Sequence, residues 1–304
     1  MSKIVSTTNI DGVVTPTPDA KVPVMDRGFL YGDSIYEVFR TYSGIPFLYD
    51  EHWARFRNSA SLIHMDIGLS YAALREQVQA TIDACGAVAA GEDVYVRYCV
   101  TRGEGPVGLA PPADTPGRYV IMVKALPQWN PDYYATGVTA AIPAVRRNPS
   151  DALSPNIKGG NYLNNVLGVI QAQQLGADDC VFLNHAGEIT EASNSNVFFV
   201  LDDVATTPAD ESGLLRGLTK QVVAKVCLAR QIPFAERRIA VSEVTTAAEC
   251  FLTSSTREVM PVKSLRLASG ETLEFPAGGG PVTRALMAGY KDYVREYIRN
   301  QASV

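Results

Sequence analysis

The apolar positions of this chain follow two rhythms, one of period two and one near 3.6, and their alternation predicts mixed α and β structure rather than a helical bundle or an all-β sandwich. The run from Ser34 to Tyr42 (SIYEVFRTY) is rich in β-branched and aromatic residues, turns at Ser43-Gly44 and resumes as a short apolar run from Ile45 to Tyr49, which is the pattern of a hairpin. Asp50 then stands as an N-cap ahead of EHWARFRNSASLI, whose Trp53, Phe56 and Ala60 share one helical face. Ser70 caps YAALREQVQATIDACG in the same way, and Gly86 ends that helix. VYVRYCVT and RYVIMVKAL have strand character, and the Gly- and Pro-rich stretch from Gly103 to Gly117 separates them.

Both rhythms lapse in ALPQWNPDYYATG, which carries two prolines and several aromatics without a period. That lapse predicts an interdomain linker over residues 126–136, between a small N-terminal α/β domain (1–125) and a larger C-terminal α/β domain (137–304). The second half opens on a strand, GVTAAIPAVRR, followed by a loop to Lys158 and a helix from Asn161 to Leu175. A hairpin of DDCVFLN and ITEASNSNVFFV turns at His185-Ala186-Gly187, and two helices cover Thr219 to Gln231 and Val282 to Arg299. SGETLEFPAGGGP is expected to be a flexible surface turn.

Composition narrows the class. With 304 residues, 46% hydrophobic and 19% charged, the chain can bury a large core and is long enough for two domains. A net charge of -5 supplies no electrostatic reason for a nucleic-acid or anionic-membrane partner and favours a small-molecule ligand. The five cysteines are scattered, with no C-x-x-C pair, so no metal site is expected and reduced thiols in a cytoplasmic protein are. The N-terminal stretch lacks the apolar core of a signal peptide, and no window approaches the roughly 20 apolar residues of a membrane span.

Several residues are candidates for chemistry, each with a plainer reading beside it. Lys158 sits in NIKGGNYLNN, where two glycines permit close backbone approach; it is either a Schiff-base amine or a solvated loop lysine. Glu191 alternates onto the face of Ile189, so its carboxylate points inward and needs a cationic or donating partner, which a protonated pyridine nitrogen or a strand-end salt bridge would supply. Gly217 and Thr219 open a helix whose free N–H groups form an anion site or an ordinary Thr cap. The hydroxyl-rich turn TSSTREV from Thr253 to Val259 offers donors of the same kind. Arg55, one turn after Glu51, is a phosphate clamp or half of a surface ion pair.

The joint order of these features is more specific than any one of them. MDRGFLYGDSIYEVFRTYSGIPFLYDEHWARFRNSA resembles the N-terminal motif of class IV aminotransferases, Asp-x-Gly-x-x-x-Gly-Asp followed by an aromatic, Glu and Arg, then Glu-His-x-x-Arg. Lys158 precedes Asn161-Tyr162-Leu163 as the family's cofactor lysine precedes Asn-Tyr-Leu, and Glu191 with Asn196-Val197-Phe198 matches its signature glutamate. Leu215, Gly217 and Thr219 match its phosphate helix, and Ser254 to Glu258 with Pro261-Val262 its second phosphate turn, so the resemblance runs from about Val24 to Leu286.

By this resemblance the chain is a fold type IV, pyridoxal 5'-phosphate-dependent transaminase with a barrel-like sheet in the larger domain, acting on an amino donor and a 2-oxo acid acceptor. Lys158 carries the cofactor and moves the proton, and Glu191 holds the pyridine nitrogen protonated. Arg55, Asn196, Gly217, Leu218, Thr219, Ser254 and Ser255 bind the cofactor while Leu215 packs on its ring. Tyr31, Tyr36, Arg40, Tyr95, Arg97, Leu109, Tyr162, Thr256 and Arg257 fall at substrate-pocket positions similar to those of branched-chain aminotransferases, where an Arg can clamp glutamate's second carboxylate. Tyr95 and Arg97, alternating on one strand face, have a plainer reading as a stacking pair. Tyr36-Glu37-Val38 looks more like D-amino-acid transaminases, yet the loop from Gly105 to Pro112 lacks their Arg-x-His, which keeps the D-amino-acid and (R)-amine readings open, with aminodeoxychorismate lyase behind them. Arg257 stands where a small residue is usual, adding a cation to the pocket or pointing into solvent. Tyr31 and Leu109 resemble positions that reach a neighbouring subunit, so a homodimer or larger self-assembly is expected.

Overall fold

The computed structural model describes residues 4–111 and 115–302. The described residues form two compact units, one built from those up to Pro127 together with Ile157–Asn161 and 301–302, the other from Gln128–Asn156 and Tyr162–Asn300. Lys158 therefore belongs to the first unit: Ile35 bridges to Gly159, and the Tyr36 N–H donates to the Lys158 carbonyl at 2.9 Å.

The first unit contains β1 (Thr7–Ile10), β2 (Val13–Pro16), α1 (Arg27–Tyr31), β3 (Ser34–Tyr42), β4 (Ile45–Pro46), α2 (Tyr49–Leu62), α3 (Tyr71–Ala84), α4 (Ala87–Ala90), β5 (Val94–Thr101) and β6 (Arg118–Ala125). Its antiparallel sheet has the order β2-β1-β6-β5-β3-β4. Alternation divides the sheet into two faces. Ile35, Phe39, Val94, Val96, Tyr98, Val100, Ile121 and Val123 pack on Phe56 and Ala60 of α2 and on Leu74, Val78 and Ile82 of α3, while Tyr36, Val38 and Arg40 lie opposite Cys99, Arg97 and Tyr95 on the other face. The second face is the one that carries candidate chemistry.

The helix starts are partly as expected. Ser70 Oγ accepts the Ala73 N–H at 3.2 Å, and the α3 helix stops at Cys85 ahead of left-handed Gly86. Asp50, however, is not an N-cap: α2 begins at Tyr49 behind left-handed Leu48, and Asp50 sits in its first turn, where an acid also suits the helix dipole. The second apolar run shortens accordingly to Ile45–Pro46, since Pro46 has no N–H to extend a ladder. Buried Arg27 donates to the carbonyls of Gly108 and Leu109, and Tyr31 Oη accepts the Gly108 N–H at 2.8 Å, so α1 holds the near part of the 105–112 loop. Pro112, with residues 113 and 114, lies outside the described residues.

The second unit contains α5 (Asp132–Ala135), β7 (Val138–Ala141), α6 (Leu163–Gln174), β8 (Asp179–Leu183), β9 (Ile189–Ala192), β10 (Asn196–Leu201), β11 (Val204–Pro208), α7 (Leu218–Arg230), β12 (Phe234–Arg237), β13 (Glu249–Ser254), β14 (Glu258–Arg266), β15 (Thr272–Glu274) and α8 (Pro281–Ala302). Its sheet has the order β12-β11-β10-β13-β14-β7-β8-β9, with β15 added beside β14. The sheet curls into a half-barrel, β9 packing on β10 and β11 around a core that includes Val181, Val197, Phe199, Leu252, Met260 and Val262. ITEASNSNVFFV is not one strand but two, β9 and β10, because the polar run Ser193–Ser195 turns between them. The supposed surface turn SGETLEFPAGGGP contains β15, and its Phe275 is buried in the core.

Candidate active site

In the first unit the Lys158 loop runs against β3. A Cβ on Gly160 would lie 2.3 Å from Ser34 Oγ and one on Gly159 3.0 Å from the Ser34 carbonyl, so the two glycines are what allow this approach. Ser59 Oγ accepts the Lys158 N–H at 3.1 Å. The Lys158 ammonium donates to Tyr36 Oη at 3.5 Å and lies 4.6 Å from the ring centroid. Arg97 stacks on the same ring at 3.6 Å, and Tyr95 lies two residues before it on β5, on the same strand face. Arg40 stacks on Tyr42 instead, at 4.1 Å. The sequence-predicted set Lys158, Tyr36, Tyr95 and Arg97 is thus brought together on one face.

On the opposite face of β3 lies a buried ionic cluster. Glu37, fully buried, takes both Nε and Nη2 of Arg55 at 2.7 Å and His52 Nδ1 at 2.6 Å. Arg55 is therefore fixed by a bidentate pair with a strand residue 18 positions away, a geometry stronger than a single-point contact with Glu51. Burial pushes the Glu37 carboxyl up, but Arg55 and His52 outweigh it and hold it well below the usual carboxylate range. Burial lowers His52 below its ordinary value despite Glu37, so the ring is neutral and Nδ1–H is the donor.

Both folded values lie below the ordinary ones, so both groups contribute stability at neutral pH that is lost on acidification, His52 from 6.5 downward and Glu37 from 4.5 downward. Urea unfolding should therefore show stability falling as pH drops, and His52→Asn should flatten the part of that slope between about pH 6.5 and 5. A wild-type profile that is level over that interval would contradict the assignment.

In the second unit Glu191 is buried on β9, its Oε1 accepting from Arg147 Nε at 2.9 Å and its Oε2 from the Leu215 N–H at 3.0 Å. Arg147 also donates to Asn164 Oδ1 at 3.2 Å, and Asn165 Nδ2 holds the Ser193 carbonyl at 2.7 Å. Asn196 Nδ2 donates to the Leu215 carbonyl at 2.9 Å, so both sides of the Leu215 backbone are held. Gly217 is the N-cap of α7 with no side-chain cap bond, and a Cβ there would lie 1.8 Å from Asn196 Oδ1. Leu218 and Thr219 follow in the first helical turn, both buried, so Thr219 is not itself the cap. Tyr162 is the N-cap residue of α6.

The second hydroxyl turn joins β13 to β14 through Ser255, Thr256 and Arg257, with Ser254 paired to Glu258 in left-handed conformation at φ 58°. Trp129 Nε1 donates to the Thr256 carbonyl at 3.0 Å and Tyr134 Oη to the Arg257 carbonyl at 3.1 Å. Arg257 neither points into solvent nor offers an unpaired cation: its guanidinium is buried against Asp179 and stacks on Trp129 at 5.0 Å. Thr253 Oγ1 is buried without a hydrogen-bond partner among the described residues.

Sequence reasoning missed Glu37 and His52 as partners of Arg55, Arg147 as partner of Glu191, and Asp179 as partner of Arg257. The only signal was general: a charge that alternation places inside must be paired.

Residues 34–265 match the family described as amino-transferase class IV. The chain is 33% identical over 286 residues to a putative branched-chain-amino-acid aminotransferase of Methanocaldococcus jannaschii, covering 93% of this chain and 94% of that protein. It is 30% identical to a D-alanine aminotransferase of Staphylococcus epidermidis, covering 95% and 98%. The structure superposes with a TM-score of 0.84 and 26% identity on the branched-chain aminotransferase of the thermophilic archaeon Thermoproteus uzoniensis with norvaline, covering 95% of this chain and 94% of that one. The chain belongs to the class IV aminotransferases, of fold type IV, and as such is a pyridoxal-phosphate-dependent enzyme that moves an amino group between an amino acid and a 2-oxo acid.

The residues present fit that cofactor. The α7 start pairs uncapped helical N–H groups with the Thr219 hydroxyl, the donor set a phosphate dianion requires. The Thr253–Ser255 hydroxyls, one of them an unpartnered buried donor, are of the same kind. Glu191 is the buried acid that a pyridinium needs, and Lys158 the amine that an aldehyde needs. No helix among the described residues is long and apolar enough to cross a membrane, and no group of three or more metal-ligating side chains occurs among them.

Proposed function

We propose that Lys158 is the lysine that carries the cofactor and transfers the proton at the substrate α-carbon, and that the substrate is an apolar L-amino acid exchanging its amino group with glutamate. The observation that carries this is the convergence of Lys158 and Arg97 on Tyr36: an amine 3.5 Å from the phenol oxygen and a guanidinium 3.6 Å over its ring. Bound pyridoxal phosphate supplies an electron-withdrawing ring that stabilises the charge left when the α-proton departs. Tyr36 orients the ammonium and seats Arg97, which offers a carboxylate clamp, and Tyr95 lines the same face. Glu191, its position set by Arg147 and the Leu215 N–H, would accept the pyridine N–H of the bound cofactor. In the second unit Thr219, the N–H groups of Leu218 and Thr219, Ser254 and Ser255 would hold the phosphate, with Leu215 against the ring and Asn196 fixing the Leu215 backbone. The further substrate-side candidates are Tyr31, Arg40 and Leu109 in the first unit and Tyr162 and Thr256 in the second.

A D-amino-acid transaminase is the second reading, favoured by the D-alanine aminotransferase relatives and by Tyr36 and Val38 on β3. L-leucine, D-alanine, D-glutamate and (R)-1-phenylethylamine, each added alone to the holoenzyme, separate the two. L-leucine is expected to bleach the cofactor's visible band; bleaching by the D-amino acids only would reject the branched-chain reading.

The partner we propose is a second copy of this chain. Leu163, Val166, Leu167 and Ile170 form an exposed apolar stripe at i, i+3, i+4 and i+7 of α6, a helix without a single charged residue, which suits self-association about a two-fold axis. Val166→Glu with Ile170→Glu should convert a dimer to a monomer in sedimentation velocity; an unchanged sedimentation coefficient would exclude α6 from the interface. Five free cysteines support a cytoplasmic location.

A further inference from the structure

Arg257 and Asp179 are 78 positions apart in the chain, yet Nη1 meets Oδ2 at 2.5 Å, with the side chains only 11% and 3% exposed. The other oxygen of Asp179 accepts the N–H groups of Cys180 at 2.8 Å and Ser193 at 3.4 Å, and Ser193 is two residues beyond Glu191. One buried carboxylate is thus shared by the end of the Glu191 strand and by the tip of the β13–β14 turn.

That turn is constrained from several sides. Trp129 and Tyr134 hold two successive carbonyls, those of Thr256 and Arg257. In a trans peptide the carbonyl and the next N–H point in opposite directions, so holding the Thr256 carbonyl also aims the Arg257 N–H, which meets Ser254 Oγ at 3.3 Å. Glu258 is left-handed at φ 58°, a conformation that a β-carbon disfavours and that persists only where the surroundings impose it. A buried ion pair adds little net stability after desolvation, but separating its partners leaves an uncompensated buried charge, so Asp179 on β8 and Arg257 in the turn are held to one another. The Arg257 Nε–H is buried with no acceptor among the described residues, so the guanidinium is placed for Asp179 and for Trp129 rather than for full hydrogen-bonding.

We propose that Arg257 is a positioning residue: paired with Asp179, it fixes the Ser254–Arg257 turn against the Glu191 strand, and it does not itself bind the substrate carboxylate. This rests on the reading above in which the Ser254–Ser255 turn takes an anionic group of the cofactor. It predicts that Asp179, which no substrate-ligand role would involve, matters to the turn as much as Arg257 does.

The test uses Arg257→Met, Asp179→Asn, the double variant and Arg257→Lys. Asp179→Asn keeps the acceptor for Cys180 and Ser193, and the double variant removes both buried charges together, so it folds even if a single variant with one orphaned charge does not. Two quantities are measured: amide hydrogen exchange at residues 254–258 in the apoprotein, and cofactor affinity by titrating apoprotein with pyridoxal phosphate. Faster exchange and affinity weakened about tenfold are expected in Arg257→Met and Asp179→Asn alike, with the double variant no worse than either single and Arg257→Lys partly restored. Wild-type exchange and affinity in the double variant would overturn the proposal. So would an Arg257→Met effect confined to substrate KM with Asp179→Asn silent, which would make Arg257 a direct substrate ligand. Faster exchange with unchanged cofactor affinity would overturn instead the anion-binding role of the turn, while wild-type apoprotein that takes up no pyridoxal phosphate would remove the cofactor assignment altogether.

Discussion

Lys158→Ala is expected to lower turnover by about 10³-fold or more and to remove the visible absorbance band of the holoenzyme, because in the proposed role both the covalent hold on the cofactor and the proton carrier would be lost together. The variant should still fold. The contacts that seat this segment are made by backbone: the Lys158 N–H to Ser59 Oγ, the Lys158 carbonyl to the Tyr36 N–H, and the Gly160 N–H to the Ser34 carbonyl at 2.9 Å. The side-chain contact with Tyr36 is among those that disappear. Spectrophotometric titration and steady-state assay of the purified variant check this, with circular dichroism as the control on folding. A folded Lys158→Ala protein with its band and its activity intact would refute the lysine's role and, with it, the assignment of the Tyr36 and Arg97 face as the substrate side.

Glu191→Gln should slow the reaction by about 10²-fold to 10³-fold while leaving the cofactor bound, since the neutral amide no longer favours a protonated ring nitrogen. A second consequence follows from the geometry. Glu191 is also the anionic partner of Arg147, so the neutral variant leaves a half-buried guanidinium short of its charge and should lose about 2 kcal/mol of stability. The two consequences can be separated. Arg147→Met added to Glu191→Gln removes the orphaned cation and should restore much of the stability while the rate stays low. Single-turnover kinetics beside urea unfolding measures both. Recovery of the rate together with the stability would mean that Glu191 serves only to neutralise Arg147.

Local physics made much of this protein readable from the chain. Ser70 and Gly86 delimit α3 because a side-chain cap and a left-handed glycine act within a few residues of the helix they bound. Alternation along β5 put Tyr95 and Arg97 on one face, and the two glycines after Lys158 marked a close approach that Ser34 indeed makes. The errors have local causes too. Asp50 was expected to cap α2, but left-handed Leu48 lets the helix start at Tyr49, so the acid falls inside the first turn. The single strand expected from Ile189 to Val200 breaks at Ser193–Ser195, whose backbone is drawn to Asn165 and Asp179.

The chain alone determined the family, the cofactor, and which lysine and which acid to examine, because these depend on residue types in a fixed order, and order is what a sequence records. Tertiary structure decided the partners. Glu37 with His52 and Arg55, Arg147 with Glu191 across 44 positions, and Asp179 with Arg257 are each a meeting of a strand with a helix, a loop or a turn. Such a meeting depends on strand register and on which face a buried charge turns to. A one-residue slip in register would send each of these strand side chains to the opposite face, so no local pattern specifies them. A buried carboxylate announces that it must have a cation; only the packing of the sheet says which one.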